Sequence, residues 1–164
     1  FRLITMDKKR LHKELHKFGK YVIQQSRSRL TRNGHNKSKD LYSSLSYKSK
    51  AHKNSFSMSF FMMDYGEYQD RGVHGAKSSY VEVKDSPFSY KSGGKKPPAS
   101  VFETWAKEHN VSPFAVANSV WSKGLKPTMF FTTPFERAFE RLPDDIIEKF
   151  GLDIEEFAEQ TLTN

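Results

Sequence analysis

Apolar positions fall into three rhythms along the chain. From about Asp7 to Leu30, Leu11, Leu15, Phe18, Val22 and Leu30 recur at helical spacing, separated mostly by Lys, Arg, Gln and Ser. The pattern predicts a surface helix of about 24 residues, roughly 36 Å long, with a narrow buried stripe. It should end at Arg32–Asn36, where Asn33 or Gly34 can take the left-handed conformation. Asp40–Leu45 reads as a short helical turn. Residues 45–52 and 55–63 then read as a hairpin turning at Lys53-Asn54, because Phe56, Met58, Phe60 and Met62 alternate with serines. The run Phe60-Phe61-Met62-Met63 breaks that alternation and implies cover on both sides.

Residues 74–98 are rich in Gly, Ser, Lys and Pro and read as a long loop, a kind that is usually functional or ordered by a partner. Ser100 with Glu103 has capping-box spacing ahead of Val101, Phe102, Trp105 and Ala106, a helix that Asn110 would end. Ser112-Pro113 should start a second helix that buries Phe114, Ala117, Val120 and Trp121 and closes at Gly124. The stretch Lys126–Arg141 combines a proline, paired phenylalanines and an amphipathic helix. Met129, Phe130 and Phe131 suggest a short strand. Thr133 as N-cap, Pro134 at the first position and Glu136 suggest the helix start, with Phe135, Ala138, Phe139 and Leu142 on its apolar face. Residues 143–151 and 153–162 read as short terminal helices. The predicted fold is a single α+β domain: a long N-terminal helix, a small sheet built on an antiparallel hairpin, C-terminal helices packed on one face, the loop 74–98 and a helical extension at 143–164.

Composition narrows the function classes. At 164 residues the chain can bury a core, but only 36% is hydrophobic and 14 residues are Phe, so that core should be small and phenylalanine-rich. No apolar run approaches the roughly 20 residues needed to span a membrane, so a soluble protein with no membrane partner is expected. Zero cysteines exclude disulfides and thiolate chemistry, and fit a reducing compartment or a particle that needs no disulfide. The net charge of +8 is unevenly spread: residues 1–53 carry 15 Lys/Arg against 3 Asp/Glu, and residues 127–164 carry 3 against 9. Either the basic half faces nucleic acid, or basic and acidic ends meet between subunits.

Catalytic chemistry has little to stand on. His12 and His16 lie one helical turn apart, but Lys13 occupies the place where a metalloprotease pattern needs Glu. Gly75-Ala-Lys-Ser-Ser79 resembles a phosphate loop without its first glycine. The acidic pairs Asp144-Asp145 and Glu155-Glu156 stand at expected helix starts, where the helix dipole accounts for them. The expectation is a non-enzyme with no metal and no cofactor. Nucleic-acid contact has more support: Arg27, Arg29, Arg32, Lys37 and Lys39 surround the end of the first helix, and Lys48, Lys50 and Lys53 follow. With no reader motif beside them, the contact would be to phosphates, as in a small non-specific DNA-binding protein.

The succession of a basic helix, the Leu-x-x-Ser-Leu segment at Leu41–Leu45, an aromatic-acidic-Gly segment at Asp64–Val73 and a Pro-x-x-Phe-Phe-x-x-Pro-Phe-x-x-Ala-Phe element at Pro127–Phe139 resembles the tail-completion, or head–tail joining, neck proteins of tailed bacteriophages. Tyr65, Gly66, Tyr68, Asp70, Arg71 and Gly72 match the first family segment, and Pro134, Phe135, Ala138 and Phe139 match the second. The resemblance implies a virion component, present in the host cytoplasm during assembly, that forms a homo-oligomeric ring between the connector, or portal, and the tail proteins, with transient contact to packaged DNA. On that reading Tyr65, Tyr68, Asp70 and Arg71, in an exposed aromatic loop, with Tyr80 and Phe88 from the long loop, form the assembly interface. Pro127, Phe130, Phe131, Pro134, Phe135 and Phe139 are the family's core motif, packing residues rather than a binding site.

Overall fold

The computed structural model describes residues 2–34, 39–51, 56–63 and 65–144. It is an α+β protein whose elements follow in the order α1 (Arg2–Arg32), α2 (Asp40–Ser44), β1 (Ser46–Ala51), β2 (Phe56–Phe61), α3 (Tyr65–Arg71), β3 (Val73–His74), α4 (Glu103–Glu108), α5 (Pro113–Lys123), β4 (Gly124–Leu125) and α6 (Thr132–Glu140). Short 3-10 turns stand at Val81–Val83 and Ala99–Phe102. The chain divides into two compact units. Phe1–Met63 with Phe130–Asn164 form the first, and Asp64–Met129, inserted in sequence between those two pieces, form the second.

In the first unit α1 is longer than its periodicity predicts. It ends as expected, with Gly34 left-handed at φ 74°. Its buried face carries Leu11, Leu15, Phe18, Val22, Ile23 and Leu30. β1 and β2 pair antiparallel, with Tyr47 opposite Phe60, Ser49 opposite Met58 and Ala51 opposite Phe56. Strand alternation turns Phe56, Met58 and Phe60 inward and leaves Lys48 and Lys50 outside. The helix meets β1 closely, since a Cβ on Gly19 would sit 2.4 Å from the Tyr47 ring. Only a residue without a side chain lets this strand approach.

The core is aromatic. Phe60 contacts Phe18 (6.0 Å between centroids), Tyr47 (6.3 Å), Phe131 (5.3 Å, edge-on) and Phe135 (6.0 Å, edge-on). Phe18 meets Phe135 edge-on at 5.5 Å. Phe131, Phe135 and Phe139 fall four residues apart, so the helical period stacks them at 5.9 Å and 6.2 Å. Each such pair adds about 0.5–1.5 kcal/mol beyond area burial. In this way α6 packs against α1 and the hairpin, and Leu142 and Ala138 complete its buried side.

Several local expectations are corrected. Phe130 and Phe131 are buried in a turn rather than a strand, because Met129 takes a left-handed φ of 54° and breaks any extended run. Helix α6 begins at Thr132, so Thr133 is not its cap and Pro134 is its third residue; Phe131 takes the N-cap position. Ser100 does not cap a helix either, since residues 99–102 form a 3-10 turn and α4 starts at Glu103 without a side-chain cap. The run Phe60–Met63 is not covered on both sides: Phe61 and Met63 are exposed. The expected turn at Lys53-Asn54 and the helical extension beyond Asp144 lie outside the described residues.

Phe135, at 1% exposure against four other rings, is the most connected side chain of α6. Phe135→Ala should cost about 3–5 kcal/mol, and Phe139→Ala, half-buried at the edge of the cluster, clearly less. Urea denaturation followed by circular dichroism measures the difference.

Candidate interaction surfaces

The six residues expected at an assembly interface all belong to the second unit, where they differ in burial. The segment at residues 65–71 is the helix α3 rather than a loop. Gly66 and Asp70, one turn apart, form its buried side, whereas Tyr65 and Tyr68 are exposed. Asp70, at 3% exposure, therefore belongs to the interior of the unit and is withdrawn from the interface. Arg71 is half-buried at the end of the helix.

Phe88 reaches this helix through strand pairing. β3 pairs antiparallel with β4, matching Val73 to Leu125 and His74 to Gly124. On its other edge the His74 amide donates to the Phe88 carbonyl and the Tyr90 amide to the His74 carbonyl, each at 2.9 Å. This miniature sheet sets Phe88 against Tyr68, with centroids 4.6 Å apart. The Ser86 hydroxyl donates to the Gly72 carbonyl at 2.6 Å and accepts from the Phe88 amide at 3.2 Å, which fixes the loop there. Gly72 has φ 75°, and a Cβ on it would fall 2.5 Å from the Leu125 carbonyl oxygen. Tyr80 stands apart from Tyr68 in its contacts: the Lys126 ammonium lies 5.0 Å above its ring and pairs with Glu82 at 4.0 Å.

Two amides close the second unit on itself. The Thr128 amide and hydroxyl both donate to the Gln69 carbonyl (3.1 and 2.9 Å), and the Met129 amide donates to the Asp70 carbonyl at 3.0 Å. Pro127, expected in the core motif, is half-buried beside Gly72 in this unit. Phe130, Phe131, Pro134 and Phe135 are fully buried and Phe139 partly buried in the other unit, so the motif is divided between the two.

The phosphate-loop likeness at residues 75–79 has a structural explanation. The Ala76 amide donates to the Trp121 carbonyl at 2.8 Å, and the Lys77 and Ser78 amides donate to the Ser122 carbonyl at 3.0 and 3.1 Å. These amides cap the last turn of α5 and are spent there. Among the described residues no group of three or more His, Asp or Glu could hold a metal ion, and no helix is long and apolar enough to cross a membrane. His16 bonds the Tyr47 hydroxyl through Nδ1. His109 stacks on Trp105 at 4.0 Å, its Nδ1 donating to the Trp105 carbonyl.

Of the basic residues expected to meet phosphates, Arg27 is structural. Its Nε donates to the Tyr42 carbonyl (3.0 Å), its Nη2 to the Leu45 carbonyl (3.1 Å), and its guanidinium lies 4.9 Å over the Tyr42 ring. It holds the C-terminal end of α2 onto α1, so its guanidinium is engaged within the fold. Arg29 is half-buried, Arg32 and Lys39 are exposed, and Lys37 lies outside the described residues.

Two surfaces escape a reading by local clusters. The first is apolar. The 3-10 turn at Ala99–Phe102, α4 and α5 pack on one another, yet this group exposes Val101 (61%), Trp105 (46%), Val111 (45%) and Phe114 (74%). Phe114 is thereby corrected from core to surface, while Ala117, Val120 and Trp121 are buried as expected. The second is the outer face of α1, where Lys9, Lys13, Lys17 and Lys20 are exposed. Their spacing of four, four and three residues is helical periodicity and is legible in the sequence. No family model, curated protein or solved structure matches this chain.

Tyr90 supplies a titratable probe of the α3 surface. Burial, and then the charge of neighbouring Tyr68, push its phenol above the ordinary value of 10.0. The folded state thus holds this proton more tightly than the unfolded chain. The stabilisation is intact below pH 10 and is lost as pH climbs through the raised folded value. Stability should fall in that alkaline range, and Tyr90→Phe should flatten the fall, as read from denaturant midpoints across a pH series.

Proposed function

We propose that this protein is a non-enzymatic structural component of a tailed-bacteriophage virion, assembling as a ring at the head–tail junction between connector and tail. The observation that carries the reading is the set Val101, Trp105, Val111 and Phe114, four large apolar side chains held open to water by one packed helical group in a chain of only 36% hydrophobic residues. Exposed apolar side chains gathered on one element group mark a surface made for a protein partner. Aromatic anchors such as Trp105 and Phe114 are the residue types that dominate association energy. The order of motifs resembling neck proteins gives the partner its class. A ring closes through heterologous contacts, in which one patch of each copy meets a different patch of the next. Tyr65 and Tyr68 on α3, with Phe88 of the following loop packed on Tyr68, offer a second aromatic surface for such a contact.

The test is assembly. The purified chain, mixed with the portal ring of its phage, should appear as a ring density on the portal in negative stain. The double variant Trp105→Ser with Phe114→Ser should fail to join it. Both side chains are exposed, so the variant should keep its stability within about 0.5 kcal/mol for each change. A wild-type chain that stays monomeric and never joins the portal sinks the proposal.

A further inference from the structure

We infer that the outer face of α1 is a phosphate-tracking surface for duplex nucleic acid, carried by Lys9, Lys13, Lys17 and Lys20. At about 100° per residue these four project within a narrow sector opposite the buried stripe of Leu11, Leu15, Phe18 and Val22. They span roughly 16 Å of helix axis, close to one ammonium per turn. A duplex presents about one phosphate charge per 1.7 Å of its axis, so every lysine along such a span has a phosphate within reach of its flexible stem.

The chemistry of the face selects nucleic acid over an acidic protein. Lysine is depleted at protein–protein interfaces, which need a desolvated apolar centre. From Lys9 to Arg32 no large apolar side chain of α1 is exposed, and Gln24 continues the stripe as another polar group. Large exposed apolar side chains stand instead on the 3-10 turn, α4 and α5. Nucleic-acid interfaces, by contrast, are polar, wet and strongly positive. Arg10 stands at the edge of this sector and Arg27 is engaged with backbone carbonyls, so the face meets a duplex through lysine point charges on phosphates, which carry no sequence information. Lys17 also pairs with Glu14 at 3.3 Å, which reduces its share of the contact and sets the expected number of neutralised phosphates nearer three than four. This surface does not depend on ring assembly and stands or falls separately from it.

The measurement is fluorescence anisotropy of a labelled duplex of about 20 base pairs, titrated with the full chain at several salt concentrations. Wild-type protein should bind with a log–log salt slope near −3, so that a fourfold rise in salt weakens binding on the order of fiftyfold. The variant with Lys9, Lys13, Lys17 and Lys20 all changed to Gln should lose most of that affinity and nearly all of the slope. A control with Lys84, Lys91, Lys95 and Lys107 changed to Gln removes the same charge from exposed positions of the second unit and should bind like wild type. Circular dichroism of both variants confirms that the exposed changes leave the helix formed. No binding to the duplex at low salt overturns the inference. So does an equal loss in the control, an unaffected stripe variant, or tighter binding to poly-glutamate than to the duplex.

Discussion

Phe60 is the residue on which the first unit turns. One ring on β2 touches α1 through Phe18, β1 through Tyr47, the turn before α6 through Phe131, and α6 through Phe135. No two of these elements except the hairpin strands are joined by a backbone ladder. Their arrangement therefore depends on how rings meet edge to face and how tightly they fill the space between them. A two-stranded sheet is too small to be stable by itself. It persists because a long helix and a short one cover its apolar side, with Gly19 conceding the room that Tyr47 needs.

Elements with a regular period were the ones visible in the sequence. The stripe of α1 and the alternation of β2 each depend on where a side chain points, which the backbone geometry dictates. What stayed hidden depends on contacts between distant residues. Arg27 reads as one more surface cation until Tyr42 and Leu45 are seen to offer it their carbonyls. Asp70 reads as an exposed acid until the side it shares with Gly66 proves to be the interior one. Phe130-Phe131 is a short apolar run, for which periodicity cannot separate strand from turn, and the left-handed Met129 decides it. The candidate surfaces were half legible for the same reason: the aromatic residues of α3 stood out by composition, but exposure of Phe114 against burial of Trp121 on one helix is a tertiary fact.

The lysine stripe and the largest group of exposed apolar side chains fall in different units. Lysines spaced along α1 belong to the first and the exposed Val, Trp and Phe of the 3-10 turn, α4 and α5 to the second. Charged faces act over the screening length of the solvent and tolerate imprecise fit, whereas apolar anchors act only on contact and demand shape. A chain that carries both can meet one partner through long-range attraction and another through close packing, without either surface compromising the other.

The bonds from Thr128 and Met129 to Gln69 and Asp70 give the inserted unit a property beyond its own stability. Its entry and its exit are stitched together. A module of that kind asks little of the sequence that hosts it, because the loop-closure entropy is met inside the module itself. Chain ends that lie close together tolerate domain insertion. The 66 residues between Asp64 and Met129 could thus diverge in length and surface at a different pace from the helix and hairpin around them.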